Sequence, residues 1–178
     1  MKKIFLIILF VTLYSNSQET EFKFTHDGFT DYIVTKCPGK TQAELFKKTF
    51  YWASTTFKNP KLIKSTLEND YIIIKATSKN LICFNSLTKS CASGKFVVKI
   101  SFKDEKYKFD VISVEYVYSE EKTELNITNP SVYYNNKGEL RSTYKYFPEI
   151  ADYFNSLNAN LKNFDITSKD VAPKKSDW

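Results

Sequence analysis

The chain holds 178 residues, 42% of them hydrophobic and 16% aromatic, with 4 Gly and 5 Pro. That is enough apolar material for one compact core, and it excludes intrinsic disorder, collagen-like repeats and a multidomain enzyme. The formal net charge is +6, yet Arg141 is the single arginine among 26 basic residues, and guanidinium is the group that reads phosphate and guanine in bidentate fashion. The balance therefore argues against nucleic-acid binding and for a lysine-covered soluble surface.

The first residues have the organisation of a secretory signal peptide. Lys2 and Lys3 precede the apolar run Ile4 to Tyr14, and Ser15-Asn16-Ser17 supplies small residues at the cleavage position. The run is too short to span roughly 30 Å of hydrocarbon, which takes about 20 residues. Residues 1–17 are expected to be removed, with the mature start near Gln18 and no membrane span left. No cysteine sits at the cleavage point, which argues against a lipid anchor. Periplasmic or secreted placement follows. The remaining organisation is one α+β domain over residues 18–167 and a flexible tail over 168–178, which ends in Trp178.

Glu21 to Phe24 can begin a short strand, and Asp31 to Lys36 is a clearer one, stopped by Cys37-Pro38-Gly39. Thr41-Gln42-Ala43-Glu44 is a capping box, in which Thr41 and Glu44 satisfy each other's orphan backbone N–H groups. Leu45, Phe46, Phe50, Ala53 and Phe57 then recur at helical spacing, with Trp52 beside them as a further core candidate, and Lys58-Asn59-Pro60 ends the element. The spacing predicts a helix over Thr41 to Phe57.

From Lys61 the period changes to two. Leu62 to Leu67 and Tyr71 to Thr77 read as strands joined by Glu68-Asn69-Asp70, and Leu81 to Phe84 as a further short strand. Lys95 to Lys103 alternates strictly, with Phe96, Val98, Ile100 and Phe102 on one face. Asp104-Glu105-Lys106 turns the chain into a long returning strand, Tyr107 to Tyr118. That strand carries a phase slip. Tyr107, Phe109 and Val111 share one face, while Ile112, Val114, Tyr116 and Tyr118 share the other. Either both faces are partly covered or a β-bulge near Val111 to Ser113 restores the register, and the bulge is the favoured reading.

Ser119 to Asn129, with Glu120, Glu121 and Glu124, reads as an exposed connection. Asn135-Asn136-Lys137-Gly138 is a turn that can tip a small hairpin within Val132 to Tyr146. A second helix is predicted from Pro148 to about Lys162, where Ile150, Phe154, Leu157 and Leu161 form an apolar stripe. The expected fold is α+β: a curved antiparallel sheet of about 4–6 strands packed against a long helix from the N-terminal half and a C-terminal helix. A cystatin-like arrangement, a helix clasped by a meander, is the alternative; the QxVxG loop of cystatins is absent.

The helix KTQAELFKKTFYWASTTF (Lys40 to Phe57), the hairpin KFVVKISFKDEKYKFDVISVEYVY (Lys95 to Tyr118) and the leader together resemble an uncharacterised family of exported Bacteroidota proteins with a TBP-like fold. The likeness covers roughly Asp31 to Tyr118 and rests on spacing and aromatic placement. It implies a curved antiparallel sheet with helices against one face. It brings no catalytic residues, and the fold name does not import DNA binding, because function resides in sites.

Three cysteines, Cys37, Cys83 and Cys91, leave at least one thiol unpaired within a monomer. Cys83 and Cys91 flank a polar loop and can close it as a disulfide; the other reading is three buried thiols packing as small hydrophobes. Cys37 reads as a structural thiol. A nucleophile pair of Cys37 with the only histidine, His26, oriented by Asp27 or Asp31, is the one catalytic arrangement the residues offer. The surroundings of Cys37 match no cysteine-enzyme signature, and an exposed loop histidine is the simpler reading. The chain lacks zinc-ligand spacing, GxSxG, a P-loop and an EF-hand loop, so no metal or cofactor is expected.

The remaining candidate is a surface. Tyr71, Ile73 and Val97 fall on the face opposite the core, among Lys95, Lys99 and Lys103. Such a face is either ordinary outward β-structure or a site that holds a peptide, a glycan or another protein. The expected function is a non-enzymatic domain that binds an envelope protein, peptide or glycan, or scaffolds there. A secreted enzyme inhibitor is the second reading, and a hydrolase on Cys37 and His26 the third.

Overall fold

The computed structural model describes residues 21–64, 69–85, 89–118 and 121–165. The leader, the start near Gln18, the strand end at Leu67, the turn residue Glu68, Glu120 and the tail with Trp178 lie outside the described residues. The chain enters through a small antiparallel hairpin, β1 (Phe24–Thr25) and β2 (Gly28–Phe29), so the segment read as strand up to Phe24 is placed later and turns at His26-Asp27. β3 (Tyr32–Lys36) buries Ile33 and Thr35 and ends at Cys37; two residues on, Gly39 takes φ +74°, a left-handed conformation that glycine adopts without steric cost.

Thr41 caps the first helix, α1 (Gln42–Thr56). Both bonds of the box are present: Glu44 N–H donates to Thr41 Oγ1 at 3.3 Å, and Thr41 N–H donates to Glu44 Oε2 at 2.8 Å. The buried stripe is Leu45, Thr49, Trp52 and Ala53, continued by Phe57 at the C-cap. Phe46 and Phe50 are only partly buried, because the helix is rolled to turn Trp52 fully inward. Asn59, at φ 52°, makes the left-handed exit that a short polar side chain tolerates.

Four strands follow in a meander: β4 (Lys61–Lys64), β5 (Tyr71–Asn85), β6 (Lys89–Lys103) and β7 (Lys106–Tyr118). The separate strand expected at Leu81 to Phe84 is the second half of β5, joined to the first through an irregularity between Ser78 and Ile82. Leu81 enters the core there because Gly94 opposite has no side chain; a Cβ on Gly94 would collide with the Leu81 side chain and the Glu115 carbonyl. The β6–β7 turn, Asp104-Glu105, is tied to the entry of α1. Asp104 accepts from Gln42 N–H at 2.8 Å, the Glu105 carboxylate accepts from Gly39 N–H at 3.0 Å, and the Glu105 carbonyl accepts from Cys37 N–H at 2.7 Å. These bonds hold Glu105 at φ 62°.

The phase slip in β7 is a bulge. Val97 faces Ser113 and Val98 faces Val111, which leaves Ile112 without a partner. Val111 and Val114 are both buried, while Ile112 is 54% exposed. Glu121–Glu124 is a short edge strand, β8, paired with β7, and Leu125 after it is buried; four residues of the stretch read as an exposed connection are therefore part of the sheet. Its charged sequence hid it, since an edge strand is held by backbone hydrogen bonds that any residue supplies. The sheet order is β3-β7-β6-β5-β4, with β8 beside β3 on the outer edge of β7.

The segment before the last helix contains two 3-10 turns, Pro130–Tyr133 and Ser142–Tyr144, with a bridge between Tyr134 and Leu140 around the Asn135 turn. The second helix, α2 (Glu149–Asn163), starts after Pro148 and buries Ile150, Phe154, Leu157 and Leu161, together with Ala151. Both helices pack on one sheet face. Asparagines on α2 fasten the layers: Asn155 exchanges two hydrogen bonds with the Phe22 backbone, at 2.6 and 2.9 Å, and Asn158 Oδ1 accepts from the Tyr107 hydroxyl at 2.7 Å and from Thr35 at 3.1 Å. One cluster of buried side chains runs from Phe22 to Leu161. The architecture is an α+β two-layer fold with a six-stranded antiparallel sheet.

Candidate functional site

With both helices, the β1–β2 hairpin and the aromatic cluster around Phe147 on the inner side, the other sheet face is left open among the described residues. Strand alternation carries every second residue to it, and none of those side chains described is buried. Cross-strand register orders them into rows. Lys36, Lys106 and Lys103 make the first row, and Val34, Lys108, Ser101 and Tyr71 the second. Tyr32, Asp110, Lys99, Ile73 and Ile63 make the third and cross the whole sheet. Ser113, Val97, Lys75 and Lys61 form the fourth, and Glu124, Glu115, Lys95 and Thr77 the fifth.

Tyr71, Ile73, Lys95, Val97, Lys99 and Lys103 thus share one face. Tyr71, Ile73, Val97 and Lys99 are half-buried in its middle, and Lys95 and Lys103 stand exposed toward its two ends. The Lys99 ammonium lies 4.4 Å from the Tyr71 ring centroid, and Lys108 lies 4.8 Å from that of Tyr32. These cation–π contacts hold lysines over rings that would otherwise be bare. Lys108 also pairs with Asp110 at 2.9 Å.

Sequence reasoning did not find the groove at the edge of this face. β3 and β8 pair with opposite ends of the same β7 edge, and the bulge lies in the gap between them. The gap opens into a groove of about 750 Å³ whose walls include Lys23, Asp31, Tyr32, Asp110, Ile112 and Ile127. Asp110 Oδ2 is buried there without a hydrogen-bond partner among the described residues. Three segments distant in sequence build the groove; the one local signal for it was the phase slip at Ile112.

Cys83 and Cys91 face each other across β5 and β6 and are joined by a disulfide. The structure does not bring Cys37 and His26 together. His26 sits on the β1–β2 turn, 3.3 Å from Asp27 and edge-on to the Tyr134 ring. Cys37 follows the far end of β3, where burial pushes its thiol up and the nearby Lys48 and Lys162 only partly oppose that. A thiol held protonated is a poor nucleophile. Among the described residues no group of three His, Cys, Asp or Glu is placed to hold a metal ion, and no helix is long and apolar enough to cross a membrane.

Residues 32–117 match the family described as a domain of unknown function (DUF4468) with TBP-like fold. Two solved structures are similar. A DUF4468 family protein from Bacteroides ovatus aligns with TM-score 0.61 at 14% identity, covering 85% of this chain and 94% of that one. A TBP-like protein from Parabacteroides distasonis aligns with TM-score 0.54 at 14% identity, covering 73% and 87%. At that identity the likeness speaks for the fold alone. A comparison with curated proteins finds no match.

Proposed function

We propose that this chain, whose residues 32–117 belong to the DUF4468 family with TBP-like fold, is a non-enzymatic binding domain of the bacterial envelope, and that the open sheet face is its contact surface. One observation carries the reading: among the described residues the second face of the six-stranded sheet has no buried side chain, and three exposed large apolar side chains, Tyr32, Ile63 and Ile112, lie on it or at its edge. A protein that needed this sheet only as a core wall would surface it with polar side chains. Export is supported by the leader, Lys2 to Ser17, and by the Cys83–Cys91 bridge, which persists in an oxidising compartment.

The test is site-specific photocrosslinking in the native envelope. A photoreactive residue at Val97 samples the open face, and one at Lys47 samples the solvent side of α1. Adducts from position 97 and none from position 47 are expected; adducts from position 47 alone would sink the proposal. N-terminal sequencing of the protein from the periplasmic fraction is expected to start near Gln18. A full-length chain confined to the cytoplasm would remove the export part.

A further inference from the structure

Resting on that reading of the open face, we infer that its occupant is an acidic polypeptide with apolar side chains set between its carboxylates. The sign comes from the rows. The first row is lysine throughout, the fourth holds Lys75 and Lys61, and the third presents Lys99. Among the described residues of the five rows the carboxylates are Asp110, already paired with Lys108, and Glu115 and Glu124 at one corner. A second copy of this chain would set two lysine faces against each other, so charge opposes self-association through this surface.

The apolar residues decide between anionic partners. Ile73 and Val97 lie half-buried in the middle of the face, and Ile63 and Tyr32 stand 38% and 45% exposed at the two ends of the third row. An anionic polysaccharide offers Ile63, Ile73 and Val97 only the C–H faces of its rings, with no apolar side chain to reach between the lysines. A lipid headgroup layer is held away from Ile73 and Val97 because lysine stems reach farther from the sheet than isoleucine or valine. A polypeptide meets both demands, since its apolar side chains reach between the lysines while its carboxylates meet the ammonium groups. Phosphate polymers are further disfavoured by the type of cation. The single arginine, Arg141, donates from Nε to the Tyr134 carbonyl at 3.0 Å, within the Tyr134–Leu140 turn, and lends this face no bidentate fork. The spacing is favourable too: successive outward lysines such as Lys106 and Lys108 are about 6.8 Å apart along the strand, which equals the side-chain repeat of an extended peptide on one side.

The experiment uses the mature protein and fluorescence anisotropy with a short labelled peptide alternating glutamate and valine. Its comparison probes are the same peptide with serine for valine, dextran sulfate, and vesicles containing phosphatidylglycerol. Saturable binding of the Glu/Val peptide is expected, weakened by salt, by at least about tenfold in the doubly reversed Lys75→Glu, Lys99→Glu protein, and not by Lys137→Glu on the distant turn. Ile73→Ser is expected to bring the Glu/Val peptide down to the level of the Glu/Ser one, and thermal melts establish that each variant is folded. Equal binding of the two peptides, tighter binding of dextran sulfate or vesicles, or indifference to the reversed lysines would overturn the inference. The two levels separate cleanly. Adducts from position 97 to a glycan, a lipid or a basic protein defeat the acidic-peptide inference and leave the contact surface standing, whereas adducts only from position 47 defeat the contact surface itself.

Discussion

Asn160 of α2 accepts a hydrogen bond from the Trp52 indole N–H of α1 across 2.7 Å. Trp52 is fully buried while Asn160 is exposed, so the bond lets a large apolar ring enter the core with its one polar atom satisfied at the rim. Asn160→Leu would leave the N–H unpaired and is expected to cost roughly 1–3 kcal/mol in denaturant unfolding. Asn160→Asp keeps an acceptor and should lose less. Equal losses in the two variants would mean that the bond contributes nothing.

Ile112 makes a sharper test of the sheet. As the unpaired bulge residue, 54% exposed, it packs against little, and Ile112→Ser is expected to shift stability by no more than about 0.5 kcal/mol. Deleting the residue is a different perturbation. Without the extra residue Val111 and Ser113 become neighbours, still opposite Val98 and Val97, so the ladder runs on regularly and Val114 and Tyr116 keep their face. The deletion is expected to keep a single cooperative thermal transition, because it removes the local bend of the strand and not its register. Loss of that transition in the deletion protein would show that β7 needs the bend at Ile112 as well as its pairing with β6.

The same residue shows what the sequence could and could not reveal. Where a rule depends on side chains, the element was legible: Thr41 and Glu44 announced the cap, the period of two announced β6, and a phase slip pointed to a bulge near Val111 to Ser113. Where the structure depends on backbone bonds or on long-range closure, the signal was missing. β8 is four polar residues held to β7 by its ladder, and the polar run Ser78-Lys79-Asn80 falls between two strands predicted separately although one strand, β5, continues through it. Nothing in the helix pattern marks Asn155, Asn158 and Asn160, because their targets Phe22, Tyr107 and Trp52 are on other segments. The site divides in the same way. Tyr71, Ile73, Val97 and the lysines follow from alternation, whereas the groove beside Ile112 exists only once β3, β7 and β8 have met.

Gly94 is required by contact, not by turn geometry. Leu81 and the Glu115 carbonyl occupy the space that a Cβ would take. Gly94→Ala is expected to destabilise by roughly 1–3 kcal/mol, the usual cost of overpacking a core. Because one obstacle is backbone, adding Leu81→Ala should not restore the parental stability. Full rescue in the double variant would locate the conflict in the Leu81 side chain alone.

Tyr107 gives the fold an alkaline limit. The residue is 2% exposed beneath α2, and burial pushes its phenol far above the ordinary value, only partly opposed by the neighbouring Thr35 hydroxyl. The folded chain therefore keeps this proton at pH values where the unfolded chain releases it. The sign follows from linkage: the contribution is fully present below the unfolded pKa of about 10 and is lost as pH rises from there toward the folded value. Tyr116, Tyr134 and Tyr153 are raised by burial as well, so stability should fall steadily above about pH 10. Tyr107→Phe loses the 2.7 Å bond to Asn158 and should be less stable at neutral pH, yet its decline on the alkaline side should be shallower than the parent's. Urea unfolding at a series of pH values measures both slopes. Parallel curves for the two proteins would show that the Tyr107 proton is not coupled to folding.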